Sequence, residues 1–476
     1  MKAPIVSLSY DDVLLVPRFS QIRSRKEPIL ETRFTKHIAL NIPIISANMD
    51  TVTESKMAIA LARLGGIGIV HRFLSIDREV EEVSRVKRAE AYVIDDPYTV
   101  FPDTLLKDAK QRMYTLGAAL LVIDEDKKLI GILTNRDVEF VDSTTLRVSD
   151  VMTKELITAS PKISLDGAKG IFMKQKIEKL PLVDAKGVLR GLITKKDILA
   201  RIRYPEAAKD KKGRLLVGAA VGVMGDYLER TKALVEAGVD VIVIDIAHGH
   251  SIMMKEAMVR IKKIVGECTD VVAGNVATKD GVRDLVKWGA DAVKVGIGPG
   301  AACTTRIMTG VGVPQFSAVL ECGIEAKKFH VPIIADGGVK NSGDFTKALA
   351  AGAETVMIGS MFAGTDESPG QEIVKNGARY KLYRGMASIG ANVAKTTISG
   401  SQKGANYERI TPEGVEAVVP YKGKIDATIS LLLGGLRSGM SYLGAKTIKE
   451  MPKNAEFIQI TQAGLRESNS HDIDVK

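Results

Sequence analysis

The chain has 476 residues, of which 45% are hydrophobic and 26% charged, a composition typical of a globular protein with more than one domain. Its formal net charge of +10 is spread along the sequence and only 5% of the residues are aromatic, which favours a solvated basic surface over a nucleic-acid interface. No apolar run approaches the roughly 18 residues that a membrane span needs, so we expect neither a nucleic-acid nor a membrane partner.

The cysteines and the amino terminus bear on the compartment. Cys268, Cys303 and Cys322 lack CxxC spacing, which argues against a disulfide framework and against a zinc site. Acidic residues lie near the amino terminus, where a signal peptide would need a continuous apolar stretch. We therefore expect a cytoplasmic protein.

The first part of the chain predicts a strand, a helix and a second strand. Residues 41–50 form a short apolar run that ends in small and polar residues, residues 54–64 have a helical pattern, and residues 65–72 form a second apolar run. This order of elements is typical of a parallel α/β fold.

An internal repeat begins at about residue 91. Residues 131–138 align with residues 191–198, and both copies contain the pattern GxxTxxD. The charged, turn-rich stretch PEAAKDKKGR at 205–214 indicates where the repeated segment ends. The sequence thus predicts an inserted module at 91–213, with repeats at about 95–150 and 151–205, inside a catalytic domain made of 1–90 and 214–476.

Six further apolar runs follow the insertion, separated by amphipathic segments. They lie at 215–223, 239–248, 270–276, 290–298, 331–339 and 354–360. With the two early runs they make eight buried strands alternating with helices, which predicts a (β/α)8 TIM barrel. The alternative, an open doubly wound sheet, is disfavoured because no strand–GxGxxG–helix unit with a downstream acidic residue is present.

One glycine-rich loop holds a thiol. Residues 296–306, GIGPGAACTTR, follow an apolar run and contain Cys303, with Thr305 two residues on and Arg306 next to it. Unpaired amides and a nearby arginine would favour the thiolate, the nucleophilic form of cysteine. The alternative is a buried cysteine in a structural turn, and the glycines and paired threonines favour the nucleophile.

Other motifs follow the later strands. ADGG at 335–338 and IGS at 358–360 end the seventh and eighth runs, the usual phosphate site of a barrel. His248 and His250 could suggest a metal, but no third ligand accompanies them. A polar, glycine-containing stretch at 387–412 predicts a mobile active-site flap.

The loop at 296–306 and the following TGVGVPQ at 309–315 resemble the catalytic loop of the IMP dehydrogenase and GMP reductase family. The resemblance spans nearly the whole chain. It implies an oxidoreductase in which the cysteine attacks C2 of a purine nucleoside monophosphate, and in which a hydride passes between that carbon and NAD(H) or NADP(H). It also implies a homotetramer.

The resemblance further implies the roles of individual residues. The catalytic residues would be Cys303, Thr305 and Glu413. The substrate would be bound by Met49, Asp336, Gly338, Gly359, Ser360, Tyr383, Gly385, Met386 and Glu413. The cofactor would meet Asp245, Asn275, Gly296 and Gly298. Potassium (K+) would bind the backbone carbonyls of Gly298, Gly300 and Cys303. Ala301 departs from the family, whose members usually have a serine there that touches the phosphate.

The inserted repeats resemble a tandem CBS pair, a module that binds adenine or guanine nucleotides. The resemblance implies that Thr134, Asp137, Thr194 and Asp197 face ribose and phosphate. The alternative is that these residues cap the helices that follow them. Both alternatives stay open at this point.

The flap decides between the two branches of the family. Dehydrogenases carry an Arg-Tyr pair there that activates water, and ungapped counting puts Ser399 and Gly400 at those positions. The stretch ANYERITPEG at 405–414, together with Asn48 and Thr309, resembles reductases. The CBS insertion and residues 460–468 resemble dehydrogenases, and Arg72 stands where reductases usually have a catalytic lysine.

On balance the sequence favours a GMP reductase, which converts GMP and NADPH to IMP, ammonia and NADP. The alternative is an IMP dehydrogenase, which converts IMP, NAD and water to XMP and NADH. An alternative of another class is a nucleotide sensor that has lost catalysis, which the intact Cys303, Thr305 and Asp336 disfavour.

Overall fold

The computed structural model describes residues 4–89, 93–141, 143, 145–391, 393 and 411–470. The chain forms two compact units. The larger comprises Met1–Lys87, Glu206–Asp210 and Leu215–Lys476, and the smaller comprises Arg88–Pro205 and Lys211–Arg214.

The segment Glu206–Asp210 differs from the predicted domain boundaries, because it belongs to the larger unit. The amide of Ala208 donates to the carbonyl of Ala62 at 2.8 Å, and the ammonium of Lys87 lies 3.0 Å from a carboxylate oxygen of Asp210. These contacts fasten the segment to the larger unit although its sequence reads as a charged linker.

The larger unit begins with short elements and then enters the barrel. The elements in chain order are a 3-10 helix at Tyr10–Asp12, β1 (Val13–Leu15), β2 (Thr32–Arg33), β3 (Ala39–Leu40), β4 (Ile44–Ser46), α1 (Ser55–Arg63), β5 (Ile67–Val70) and α2 (Ile76–Arg88). β4 and β5 are parallel and fully buried, as their apolar runs predict. The predicted strand, helix and strand are confirmed.

The smaller unit contains two similar halves. Its elements are β6 (Thr99–Val100), α3 (Leu106–Leu116), β7 (Leu120–Ile123), β8 (Leu129–Leu133), α4 (Asn135–Val138), α5 (Val148–Val151), α6 (Leu165–Gln175), β9 (Lys179–Val183), β10 (Leu189–Thr194) and α7 (Lys195–Arg203). β7 pairs with β8 and β9 with β10, both antiparallel, and each pair leads into a helix. Each half has an apolar core, one around Val122 and Leu133, the other around Leu182 and Ile193. The repeat in the sequence is therefore a repeat of structure.

The barrel is completed after the smaller unit. The elements are β11 (Val217–Val221), α8 (Tyr227–Glu236), β12 (Val241–Asp245), α9 (Ile252–Val265), β13 (Asp270–Val276), α10 (Lys279–Lys287), β14 (Ala292–Val295), α11 (Thr305–Thr309), α12 (Gln315–Lys327), β15 (Ile333–Asp336), α13 (Ser342–Ala350), β16 (Thr355–Ile358) and α14 (Ser360–Ala363). Eight parallel strands close in the order β11, β12, β13, β14, β15, β16, β4, β5. The predicted TIM barrel is confirmed, and the open sheet is wrong because β5 pairs with β11.

The last elements of the chain also belong to the larger unit. They are β17 (Glu372–Lys375), β18 (Ala378–Arg384), β19 (Glu416–Pro420), α15 (Ile425–Leu443), a 3-10 helix at Ile448–Glu450, α16 (Met451–Asn454), β20 (Phe457–Gln459) and α17 (Gln462–Glu467). β17, β18 and β19 form an antiparallel sheet, and β20 pairs with β1. Among the residues with a described position, no helix combines the length and apolar character needed to cross a membrane.

Candidate active site

The polar residues that follow the barrel strands lie together at one face of the barrel. Asp245 ends β12, Asp336 ends β15, and Asn275 is the next-to-last residue of β13. Because the strands are parallel, their carboxyl ends share this face, where TIM barrels carry their active sites.

The three residues predicted to be catalytic form a continuous chain of hydrogen bonds. The Sγ of Cys303 donates to Oγ1 of Thr305 at 3.2 Å, and that hydroxyl donates to Oε2 of Glu413 at 2.8 Å. Glu413 comes from a segment 108 residues beyond Thr305. The Cys303 side chain is only partly buried, so a ligand can reach the sulfur.

Backbone contacts on both sides of Glu413 fix it beside the thiol loop. The amide of Thr304 donates to the Glu413 carbonyl at 2.9 Å, and the amide of Val415 donates to the Ala302 carbonyl at 3.0 Å. Gly385 lies against the same loop, since a Cβ there would lie 2.6 Å from the carbonyl oxygen of Ala302. The structure thus places the predicted Gly385 next to the loop, with no room for a side chain.

The side chain of Arg306 holds the thiol loop and does not bond the sulfur. Its Nε donates to the carbonyl of Ile297 at 3.2 Å, and its Nη2 donates to the carbonyl of Val313. Gly298 has a φ of +82°, and a Cβ there would lie 2.4 Å from Cγ of Arg306, so only glycine fits. Burial lowers the pKa of Arg306, while the charge of a Cys303 thiolate opposes this shift. The interaction between Arg306 and the sulfur is therefore electrostatic.

A cavity of about 280 Å³ lies at this face, close to the smaller ligand pockets of proteins, which start near roughly 300 Å³. Predicted residues in its lining are Met49, Asp336, Gly338, Gly359, Ser360, Tyr383 and Gly300. Lining residues that the sequence reasoning missed are Ser9, Tyr10, Asp11, Gln315 and Lys340. Residues 9–11 belong to no motif that we recognised in the sequence, and they precede every strand of the barrel. The sequence therefore held no signal that they would line this cavity. Gly385, Met386 and Glu413 are not among the lining residues.

Tyr383 supplies a hydrogen-bond donor to the cavity. Burial raises its pKa to about 12, and the charges of Asp336 and Cys303 act in the same direction. The phenol therefore stays protonated at neutral pH. Its oxygen lies 3.9 Å from the Sδ of Met49, so two predicted substrate residues are neighbours.

One charged residue at the centre of the site was missed by the sequence reasoning. Lys294 lies in β14 with a side chain only 2% exposed, and its Nζ lies 2.8 Å from Oδ1 of Asp245 and 2.8 Å from Oδ2 of Asp336. The same Nζ donates to Oδ1 of Asn275 at 2.5 Å. A lysine within an apolar strand run is the signal that could have found it, because a buried ammonium needs partners.

The charges of this cluster support one another. Burial lowers the pKa of Lys294, but the carboxylates of Asp245 and Asp336 outweigh burial and raise it. Burial raises the pKa of Asp245, but Lys294, with smaller contributions from Arg72 and Asn48, outweighs burial and lowers it. The lysine is therefore a cation and Asp245 an anion at neutral pH.

The residues predicted to bind cofactor and substrate are adjacent. Nδ2 of Asn275 donates to the carbonyl of Gly296 at 2.7 Å and to Oδ2 of Asp336 at 2.9 Å. Nδ2 of Asn48 donates to Oδ2 of Asp245 at 3.0 Å. Carboxylates that retain acceptor capacity are chemically suited to ribose hydroxyls, so Asp245 and Asp336 have the chemistry that the predicted ligands require.

The predicted potassium residues share the thiol loop. The carbonyl of Gly300 accepts a hydrogen bond from the amide of Cys303 at 3.0 Å. A carbonyl oxygen has a second lone pair, so Gly298, Gly300 and Cys303 remain chemically suited to a monovalent cation. Potassium stays a prediction.

Among the residues that the structure describes, His248 and His250 do not belong to a group of three possible metal ligands. Nε2 of His250 lies 2.9 Å from a carboxylate oxygen of Asp284, which accounts for that ring. Across the described ranges, the group of three possible metal ligands is His37, Asp270 and Asp291. It lies at the amino ends of the strands, away from the thiol.

In the smaller unit, the four residues that were predicted to bind a nucleotide cap helices. Oγ1 of Thr134 donates to Oδ2 of Asp137 at 2.6 Å at the start of α4, and the amide of Asp197 donates to Oγ1 of Thr194 at 3.2 Å at the start of α7. The capping alternative thus describes the bonds that these side chains make. Nucleotide binding there stays a prediction.

The predicted flap at 387–412 falls mostly outside the described residues. Ser399 and Gly400, the positions that bear on the branch of the family, are among those outside.

A closed parallel barrel with a bonded thiol, hydroxyl and carboxylate at its carboxyl face defines the chain as a TIM-barrel enzyme. The sequence matches the IMP dehydrogenase / GMP reductase domain over residues 7–471. The chain therefore belongs to the IMP dehydrogenase and GMP reductase family, whose members are NAD(P)-dependent oxidoreductases.

Similar proteins carry both names. The chain is 52% identical over 469 residues to an inosine-5'-monophosphate dehydrogenase of Nitrosopumilus maritimus (strain SCM1), covering 98% of each chain. It is 53% identical over 475 residues to one of Aquifex aeolicus (strain VF5), covering 98% of this chain and 96% of the relative. It also resembles the crystal structure of a Trypanosoma brucei GMP reductase variant in complex with guanosine 5'-monophosphate, with 42% identity, a TM-score of 0.91 and 99% coverage of both chains.

Proposed function

We propose that the chain is an IMP dehydrogenase, which converts IMP, NAD and water to XMP and NADH. The observation that carries the proposal is the identity of 52% with a named IMP dehydrogenase over 98% of both chains. The GMP reductase favoured by the sequence is not confirmed, and the alternative fits these relatives better.

The geometry supports a covalent route at C2 of the purine. The thiolate of Cys303 adds to C2, and the hydrogen at that carbon leaves as hydride with its electron pair. NAD, which Asp245 and Asn275 would hold, would supply the acceptor for this hydride. Water then adds to the same carbon and the bond to sulfur breaks, which releases XMP and restores the thiol.

Thr305 and Glu413 handle protons beside the sulfur. The bond from the Thr305 hydroxyl to Glu413 orients the hydroxyl, whose lone pair accepts from Cys303. Once sulfur is bonded to carbon, this hydroxyl faces the reacting group and exchanges protons with it. The Glu413 carboxylate also suits the N1–H edge of a purine as an acceptor.

The nucleotide is held by the cavity in this proposal. Gly338, Gly359 and Ser360 surround the phosphate, with Tyr383 as a further donor. Asp336 accepts from the ribose hydroxyls, and the cofactor meets Asp245 and Asn275 on the other side of Lys294. Ala301 provides no hydroxyl, so phosphate binding depends on the remaining groups.

GMP reduction is the second candidate, favoured by the likeness in fold to the Trypanosoma brucei GMP reductase. It passes through the same covalent intermediate: Cys303 adds to C2, and the 2-amino group takes up a proton and leaves as ammonia. NADPH would supply the hydride that adds to C2 as the bond to sulfur breaks, which gives IMP and restores the thiolate. GMP reduction needs no activated water, so it would not be impaired by Ser399 and Gly400 standing where dehydrogenases have the Arg-Tyr pair. A silent sensor is disfavoured by the intact bonds of Cys303, Thr305 and Glu413.

Two parallel assays test the proposal. Purified protein is given IMP with NAD, and separately GMP with NADPH, and the absorbance of the reduced cofactor is followed with Cys303→Ala as the control. We expect steady formation of NADH from IMP. Steady consumption of NADPH by GMP, with at most a stoichiometric burst from IMP, would establish the reductase instead. Silence in both assays, with nucleotide still bound, would favour the sensor.

The remaining proposals concern partners and location. We propose potassium at the thiol loop, a homotetramer, an adenine or guanine nucleotide in the smaller unit, and a cytoplasmic location. They are supported by the resemblance of the motifs to the family. The cofactor depends on the reaction: NAD for oxidation of IMP, and NADPH for reduction of GMP.

A further inference from the structure

A single ammonium lies between the two carboxylates at the mouth of the barrel. Nζ of Lys294 bonds one oxygen of Asp245, one oxygen of Asp336 and the amide oxygen of Asn275. An ammonium has three donors, and these three acceptors use all of them. The side chain is therefore fully engaged by the protein.

The burial of the Lys294 side chain keeps its ammonium bonded to these partners. Only 2% of the Lys294 side chain is exposed, so water has little access to replace its partners. A buried charge that loses its partner is strongly unfavourable, so the lysine and the two carboxylates keep each other in place. In the barrel, β14 lies between β13 and β15. Lys294 on β14 therefore sets the orientation of both Asp245 on β12 and Asp336 on β15.

The bonds to Lys294 leave the carboxylates able to accept more. At Asp336, the lysine and Asn275 both bond Oδ2, so Oδ1 faces no partner among these groups. At Asp245, Lys294 takes one oxygen and Asn48 takes the other, and each carboxylate oxygen can accept a second bond. Ligand hydroxyls can therefore bind both residues without displacing the lysine.

We propose that Lys294 is the positioning residue for both ribose sites, holding Asp336 for the nucleotide and Asp245 for the nicotinamide cofactor while touching neither ligand. The identity of the two ligands rests on the proposed function. Removing the ammonium leaves both carboxylates without their shared partner, so both affinities fall together. Loss of a supporting partner of this kind typically weakens binding by about 10- to 100-fold, as seen for groups that orient metal ligands.

The barrel offers a matched control at its other end. Lys87 has a side chain only 4% exposed, and its Nζ lies 3.0 Å from Asp210 and 2.7 Å from Asp240. Asp240 directly precedes β12, so this pair of carboxylates lies at the amino ends of the strands. Lys87→Met and Lys294→Met therefore remove the same chemistry, a buried lysine between two aspartates, from opposite ends.

The test measures binding and stability in the full chain. The dissociation constants of IMP, and of NAD in the presence of IMP, are measured by calorimetry in the Cys303→Ala background, which prevents turnover, for the chain with no further change and with Lys294→Met, Lys294→Arg or Lys87→Met, alongside Tm. We expect Lys294→Met to weaken both ligands at least about tenfold and Lys294→Arg to weaken them less, because the charge is kept. We expect Lys87→Met to lower Tm and leave both affinities unchanged.

Several outcomes would overturn the positioning role. Unchanged affinities in folded Lys294→Met would do so, as would equal losses in Lys87→Met, which would indicate general destabilisation. Should Lys294→Met not fold, Lys294→Arg decides: weakening of both ligands supports the role, and weakening of one or neither refutes it. Failure of the proposed function is distinct, since it shows in the wild type as no turnover of IMP.

Discussion

The hydroxyl of Thr305 is the link between the thiol and the carboxylate, and replacing it with valine tests that link. Valine has the same shape but no donor or acceptor. The change removes the 3.2 Å bond from Cys303 and the 2.8 Å bond to Glu413. A hydrogen bond to a charged group is worth roughly 1.5–3 kcal/mol, and about 1.4 kcal/mol is tenfold in rate, so we expect kcat to fall by about 10- to 150-fold.

The assay is steady-state turnover at saturating nucleotide and cofactor, with Tm measured in parallel. KM for the nucleotide should change little, because the contacts proposed for the phosphate and the ribose come from other strands. Thr304→Val is the matched control, since its neighbouring hydroxyl takes no part in this chain of bonds. The double variant Thr305→Val with Glu413→Gln should lose little more than the worse single variant, because both changes act on the same hydrogen bond: the first removes it and the second takes away the charge of its acceptor. A kcat within twofold of wild type, or strictly additive losses, would refute the reasoning.

Three further predictions concern the thiol, the insertion and the packing of the loop. Cys303→Ala should bind IMP as wild type does and lose turnover, because only the covalent step needs sulfur; appreciable turnover would contradict the mechanism. Replacing residues 91–203 by a short linker should leave a folded, active barrel, whereas removal of 206–210 as well should lower Tm, since Asp210 then no longer bonds Lys87; equal Tm values would argue against this boundary. Gly385→Ala should lower kcat, because its Cβ would lie 2.6 Å from the Ala302 carbonyl beside Cys303, at a cost of about 1–3 kcal/mol. Gly434→Ala, where a Cβ meets nothing within 4 Å, should leave kcat unchanged and serves as its control.

The barrel itself could be predicted because its signals are local. Strands buried on both faces have near-continuous apolar runs, and β12 (Val241–Asp245) lies inside the predicted run at 239–248. The pairing of Cys303 with Thr305 was also available, since two residues in one loop stay close in any fold. Counting eight runs then predicted closure, which the pairing of β5 with β11 confirms.

Other features depended on contacts between distant parts of the chain. The bond from Thr305 to Glu413 spans 108 residues, and Glu413 was assigned only through the resemblance of its motif. Residues 9–11 line the cavity although they lie in no motif, and Glu206–Asp210 joins the barrel unit although it reads as a charged linker. Charge and turn composition indicate exposure and chain reversal, but they do not say which surface a segment contacts.

Lys294 shows most clearly what the sequence determined by itself and what only the tertiary structure decided. The sequence by itself determined that a lysine stands inside the apolar run of β14, and that Asp245 and Asp336 end two other strands. Only the tertiary structure decided that its Nζ lies 2.8 Å from both carboxylates. The physical reason is that hydrophobic periodicity arises from each segment's own burial, whereas the partners of a buried charge are chosen by the closure of the barrel, which brings the ends of separate strands to one face.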